Sequence, residues 1–174
     1  MDHTQNLAIR LLNEQDPVGI AVAFAQMGWN KPEEQYRQYL VEQSAGTRTC
    51  LVAIVEGQFA GYVTVNWRPS YPGFSEQNIP EIQDLNVLRQ FRRQGVASRL
   101  LDRAESEVAR LSGVVGIGVG LHPGYSGAQR LYVRRGYIPD GRGVTYRDRY
   151  MDEGAQVVLD DQLVLHLTKK LRAD

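Results

Sequence analysis

The run "DLNVLRQFRRQGVASRLLDRAE", residues 84–105, joins an apolar, β-prone segment to an arginine-rich turn, a single glycine and a helix with a regular apolar stripe. Val96, Leu100, Leu101, Ala104 and Val108 recur at helical spacing and form that stripe. The first turn of a helix leaves backbone N–H groups without internal partners, so the donors around Gln94 to Ala97 can point at an anion, assisted by the helix dipole. Gly95 permits close approach, Ala97 keeps the next position small, and Arg92 and Arg93 add charge beside the donors. On these residues alone, a capped helix with a solvated basic turn is an equally good reading.

Two nucleotide-binding patterns are absent from the turn. It has neither G-x-x-x-x-G-K-[ST] nor G-x-G-x-x-G, and the glycines of "GVVGIGVG", 113–120, fall where a strand is expected. A P-loop nucleotide hydrolase is therefore a poor reading.

The 174 residues suffice for one domain with a substantial core, 1–174. Twenty basic and twenty acidic residues give a net charge of zero, so no chain-wide field attracts nucleic acid or anionic lipid. Lys31, Lys169 and Lys170 are the only lysines; the other basic residues are arginines, which suit bidentate phosphate contacts. Cys50 stands alone, which excludes an internal disulfide and a structural zinc site, and His3, His122 and His166 show no metal spacing. No metal is expected. The N-terminus lacks a secretory pattern and no apolar run is long enough to span a bilayer, so a soluble, cytoplasmic protein is expected.

Leu7 to Leu12 reads as a strand, and Asp16-Pro17 as N-cap and first residue of a helix to about Met27. A second helix follows Pro32, with Tyr36, Tyr39 and Leu40 on one face and a stop at Gly46. Residues 49–67 read as a hairpin turning at Glu56 to Gln58. From Arg68 to Pro80 the prolines exclude regular structure, while Tyr71 and Phe74 keep the loop aromatic. Then come a strand from Glu81 to Leu88, a helix from Gly95 to about Leu111, a strand from Val114 to Leu121 and a helix from about Ser126 to Arg135. "GVTYRDRYM" and "QLVLHLTKKL" read as two last strands. The sum is an α/β chain with a mixed sheet of about six to seven strands and about four helices.

Arg92-x-x-Gly95-x-Ala97 resembles the [QR]-x-x-G-x-[GA] signature of the Gcn5-related N-acetyltransferase (GNAT) superfamily, preceded by a strand as in that family. Downstream, Ala128, Leu131, Tyr132, Gly136 and Tyr137 of "YSGAQRLYVRRGYIPDG" match the second motif, N-x-x-A-x-x-L-Y-x-x-x-G-[FY], except that Tyr125 replaces its asparagine. The resemblance covers nearly the whole chain and implies the GNAT fold and acetyl transfer from acetyl-CoA to an amine by direct attack. It implies that the backbone of Leu85, Asn86 and Val87 meets the pantetheine arm and that Arg92, Arg93, Gln94, Gly95, Val96, Ala97 and Ser98 hold the pyrophosphate. Tyr132 matches the tyrosine that protonates the departing thiolate, and Glu81 the strand glutamate that acts as base through water; Asp84, His122 or water alone stay open as bases.

The expected acceptor is a small-molecule primary amine, with Trp67, Tyr71 and Phe74 as a wall and Glu76, Glu81, Asp84, Asp152 and Glu153 as attracting charges. A protein or peptide N-acetyltransferase and a non-catalytic acyl-CoA-binding module are the alternatives. Dimers are common in the family, so a homodimer is an open expectation.

Overall fold

A computed structural model describes residues 6–171. Two compact units divide them: the residues up to Trp67 together with Gln83–Glu107, and Arg68–Ile82 together with those from Val108 on.

In the first unit β1 (Leu7–Leu11) pairs antiparallel with β2 (Arg48–Val55), β2 with β3 (Gln58–Asn66), and β4 (Glu81–Val87) lies beside β3. The β2–β3 turn needs only Glu56 and Gly57, both left-handed at φ 48° and 78°, the two-residue geometry that matches strand twist. The helices are α1 (Asp16–Ala25), α2 (Glu33–Ser44) and α4 (Val96–Ala109), whose last residues belong to the second unit. Phe24 anchors the core of this unit, stacked on Trp29 at 5.8 Å and edge-on to Phe59 and Tyr62. Tyr36 of the expected helix face is fully buried there, with Tyr39 and Leu40 packed at the margin. Asp16 is not the N-cap of α1; Gln15 is, and the Asp16 carboxylate instead accepts the Asn13 N–H and two bonds from Arg10 at 2.7 Å each.

In the second unit the first residues of β4 run parallel to β5 (Val114–Gly120), with Glu81 opposite Gly116 and Ile82 opposite Ile117. β5 pairs antiparallel with β8 (Leu163–Lys170), β8 with β6 (Ile138–Tyr146), and β6 with β7 (Arg149–Tyr150). The helices are α3 (Pro72–Ser75) and α5 (Ser126–Arg134). The strand glycines 116, 118 and 120 fall on one face by alternation. A Cβ at Gly116 would strike the Phe74 ring, at Gly118 would lie 2.8 Å from Val164, and at Gly120 would strike the Tyr125 ring. These glycines make room for side chains, which explains their spacing without a nucleotide.

The α/β reading with a mixed sheet holds, with eight strands and five α-helices among the described residues, more than expected. "GVTYRDRYM" is not one strand but a hairpin, because Arg147 and Asp148 adopt φ 52° and 61° and turn the chain back on itself. β6 begins earlier than expected, at Ile138; Pro139, Gly141 and Gly143 sit at a register irregularity that the ladder tolerates. The loop from Arg68 to Pro80 does contain regular structure, since Pro72 starts α3 at a position where a missing N–H costs nothing.

Candidate functional site

β4 delivers the chain to a short 3-10 turn, Arg89–Phe91, and then to the arginine turn. Left-handed conformations at Arg93, φ 58°, and Gly95, φ 80°, reverse the chain so that Gly95 becomes the entry to α4, its carbonyl accepting the Arg99 N–H at 3.0 Å. Val96, Leu100 and Leu101 are buried and fix the helix, while Arg92 to Gly95 stay exposed. By helix geometry the N–H groups of Val96 and Ala97, in the first turn, have no intrahelical acceptor and face out of the helix start.

The charge of this turn is uncompensated. None of Arg89, Arg92, Arg93 and Arg99 forms an ion pair with a carboxylate among the described residues. A Cβ placed on Gly95 would meet no protein atom within 4 Å, so the space in front of it is open to an approaching group. Arginines, helix-start donors and open space above a glycine are the chemistry that a diphosphate requires, and the residues fit it. The Gln94 side chain takes no part; its amide donates back to the Gln90 carbonyl at 2.8 Å.

Three residues of the α1–α2 connection brace this strand and turn, and none was singled out in the sequence. Met27 Sδ accepts the Arg89 N–H at 3.4 Å, the Trp29 ring lies 5.6 Å beneath the Arg92 guanidinium, and Lys31 Nζ reaches Asp84 Oδ1 at 2.8 Å. Arg92 also donates from Nε to the Val87 carbonyl at 3.2 Å, so one acceptor lone pair of that strand is engaged. The only sequence signal was the glycine stop at Gly28 followed by a tryptophan, which marks a fixed turn without saying what it touches.

Asp84 is a heavily bonded side chain of the first unit. Besides Lys31, its carboxylate accepts from Gln35 Nε2 at 2.8 Å, Tyr39 Oη at 3.0 Å, Asn86 Nδ2 at 2.7 Å and the Tyr62 hydroxyl. Burial pushes this carboxyl up, but the Lys31 charge and the donors outweigh it and hold the group below the usual carboxylate range. An acceptor so occupied and so weakly basic is a poor proton base. Asn86 spends its side chain here as well.

Glu81 and Tyr132 belong to the second unit. Glu81 is 6 % exposed, and its Oε1 lies 3.5 Å from where a Gly118 Cβ would be. Tyr132 on α5 is 6 % exposed; burial pushes its phenol up, with Tyr125 adding to the effect. The hydroxyl makes no hydrogen bond among the described residues, which leaves a protonated donor uncommitted.

His122 is committed elsewhere. Its Nδ1 accepts the Gly124 N–H at 3.1 Å, which assigns the proton to Nε2, 2.8 Å from Asp161. Tyr125, at the asparagine position of the motif, donates to the same Asp161 oxygen at 3.1 Å and covers Gly120 with its ring. The expected aromatic wall is not one: Tyr71 and Phe74 are buried with Ile79 as a core cluster, and Trp67 is half-buried, with Nε1 donating to Thr49 at 3.0 Å. Among the described residues no helix could cross a membrane and no cluster of ligands suits a metal ion.

The family model for the acetyltransferase (GNAT) family matches residues 10–137. No curated protein matches the chain by sequence. Among solved structures, yncA from Salmonella typhimurium, solved with its cofactor acetyl-CoA, is similar at 17 % identity and TM-score 0.68, covering 97 % of this chain and 95 % of that one. The ribosomal-protein-alanine N-acetyltransferase of Brucella melitensis gives 20 % and 0.67, covering 94 % and 99 %. A chimera of spermidine N-acetyltransferase SpeG from Vibrio cholerae and hSSAT gives 14 % and 0.67, covering 94 % and 95 %. At these identities the structures establish the GNAT fold, and with a family match over most of its length the chain belongs to the acetyltransferase (GNAT) family.

Proposed function

We propose that the chain, as one domain over residues 1–174, transfers an acetyl group from acetyl-CoA to a primary amine, with a small molecule as acceptor. The observation that carries this reading is the uncompensated arginine turn at the start of α4, open in front of Gly95. Arg92, Arg93 and the N–H groups of Gly95 to Ser98 hold the diphosphate, Gln94 contributing through its backbone only. Main-chain groups of Leu85, Asn86 and Val87 align the pantetheine arm. When bound, acetyl-CoA supplies a thioester whose carbonyl carbon takes the amine nitrogen as its C–S bond breaks.

Tyr132 gives its phenol proton to the departing sulfur. The direction of its shift keeps the proton on oxygen through the physiological range, so the donor is always loaded, and the step depends on close geometry because the phenol is the weaker acid. Glu81 receives the proton lost by the amine, through water. Asp84 and His122 leave the list of bases for the reasons above. A small-molecule acceptor and a protein acceptor both have precedent among the similar structures, as the spermidine and ribosomal-protein enzymes.

Isothermal titration of acetyl-CoA into the wild type and into Gly95→Glu tests the cofactor site. The wild type is expected to bind, and the variant, with a negative side chain in the open space, to lose affinity by about 100-fold or more. A folded variant that binds as the wild type does removes the assignment. Thiol release across an amine panel then separates an enzyme from a non-catalytic acyl-CoA-binding module, and Tyr132→Phe is expected to lower turnover by about 10- to 100-fold.

A further inference from the structure

Asp84 sits within β4 yet is left-handed, at φ 54°. A non-glycine residue there costs on the order of 1 kcal/mol, somewhat less for aspartate, which with asparagine tolerates it better than most. Its carboxylate compensates with five donors from four places: Lys31 in the α1–α2 connection, Gln35 and Tyr39 on α2, Tyr62 on β3 and Asn86 on β4 itself. Lys31 also donates to the Tyr62 hydroxyl at 3.0 Å, closing the network, and its side chain and that of Asp84 are only 18 % and 21 % exposed.

Such a knot is a poor way to gain stability. Removing two charges from water costs about what their attraction returns, and apolar residues of equal volume serve a core as well. What the knot does supply is a single permitted orientation for the peptide that follows. The next three residues, Leu85 to Val87, are the strand of the proposed pantetheine contact, and their far end is held by Arg92 on the Val87 carbonyl. On the β3 side Gly61 lets the chains close up: a Cβ there would strike the Asn86 carbonyl oxygen.

We infer that Asp84 is a positioning residue: anchored by Lys31, Gln35, Tyr39 and Tyr62, it fixes the peptide planes of Leu85–Val87 in the orientation that receives the pantetheine arm before the cofactor arrives. The inference rests on the acetyl-CoA reading for its ligand, but the rigidity it asserts belongs to the free protein. Preorganisation of this kind is expressed as affinity, because the ordering has already been done.

The test uses the full chain with Asp84→Asn, which keeps one acceptor oxygen, Asp84→Gly, which keeps the left-handed turn without strain and loses the anchor, and Lys31→Met. Three quantities are read: the acetyl-CoA Kd by titration, the split between KM for acetyl-CoA and kcat, and amide hydrogen exchange of the segment 85–88 in the free protein. Asp84→Gly is expected to weaken Kd and raise that KM by about tenfold, with kcat moving less, and Asp84→Asn by about threefold. Exchange of residues 85–88 speeds up in both, and Lys31→Met shifts all three in the same direction. If the carboxylate only offsets backbone strain, Asp84→Gly binds like the wild type with unchanged exchange, and the inference is overturned. Should the wild type itself not bind acetyl-CoA while exchange still accelerates in the variants, the cofactor reading fails and the positioning device stands; if neither occurs, both fall.

Discussion

His166 on β8 shows what burial does to a titratable group. It is 2 % exposed, stacked on the Tyr71 ring at 3.6 Å, edge-on to Phe74 and 3.5 Å from the Thr145 hydroxyl. Burial pulls its pKa down to about 4, against the opposing charges of Asp140 and Asp148. The folded value lies below the unfolded one near 6.5, so the unfolded chain binds more protons between about pH 6.5 and 4, and stability is lost as pH falls through that window. The loss attributable to His166 is expected to reach roughly 2–3 kcal/mol near pH 4. Urea midpoints measured from pH 7 to 4.5 should fall more steeply in the wild type than in His166→Phe, which keeps the ring stack and cannot titrate. Parallel curves would show that the imidazole is not held neutral. Asp84, held low, loses its share only further down in pH, so the two effects separate. At this scale the sequence was readable where the residues are contiguous: Arg92 to Gly95 do form a turn that leads straight into α4. Lys31 and Asp84 were not readable as a pair, because they are 53 positions apart and an aspartate inside an apolar strand pattern reads as extended.

Four helices end in the same way, and this explains part of the second motif without reference to catalysis. After α1, α2, α3 and α5 a left-handed residue, Gly28, Gly46, Asn78 or Gly136, lets the next N–H reach back five residues: Trp29 to Phe24, Thr47 to Glu42, Ile79 to Phe74, Tyr137 to Tyr132. In three of them the bonded pair is also apolar, and the rings of Tyr132 and Tyr137 lie 5.9 Å apart. The Gly136-Tyr137 pair is thus a helix stop that also fixes the tyrosine assigned to the departing thiol. Gly136 has φ 88° and open space around a would-be Cβ, so Gly136→Ala is expected to cost about 1 kcal/mol from backbone strain alone, with Gly136→Asn costing less. Chemical denaturation measures this, and equal stability of Ala and wild type would refute the cap. Elements with such glycine stops were readable in the sequence. The β6–β7 turn was not, since Arg147-Asp148 takes the conformation that Asn-Gly or Asp-Gly would advertise, and α3 was hidden by the prolines around it.

Over the whole molecule the charges cancel, twenty against twenty, so the arginine turn acts as a local field and not as part of a basic surface. A local field of four arginines with no carboxylate partner among the described residues attracts a compact polyanion such as the diphosphate and phosphate groups of a coenzyme, and salt should screen it, the screening length shrinking from about 14 Å at 0.05 M to about 4 Å at 0.5 M. Acetyl-CoA affinity is accordingly expected to fall by about three- to tenfold across that range, and substitution of Arg93 by Gln to flatten the dependence. A long polynucleotide needs basic groups spread along a face, which cancelling charges do not provide, so it should compete weakly with acetyl-CoA even at low salt. An affinity indifferent to salt would mean that the pantetheine strand and not the arginine turn carries the binding, and would move the weight of recognition onto Leu85–Val87 and the Asp84 anchor that orients them.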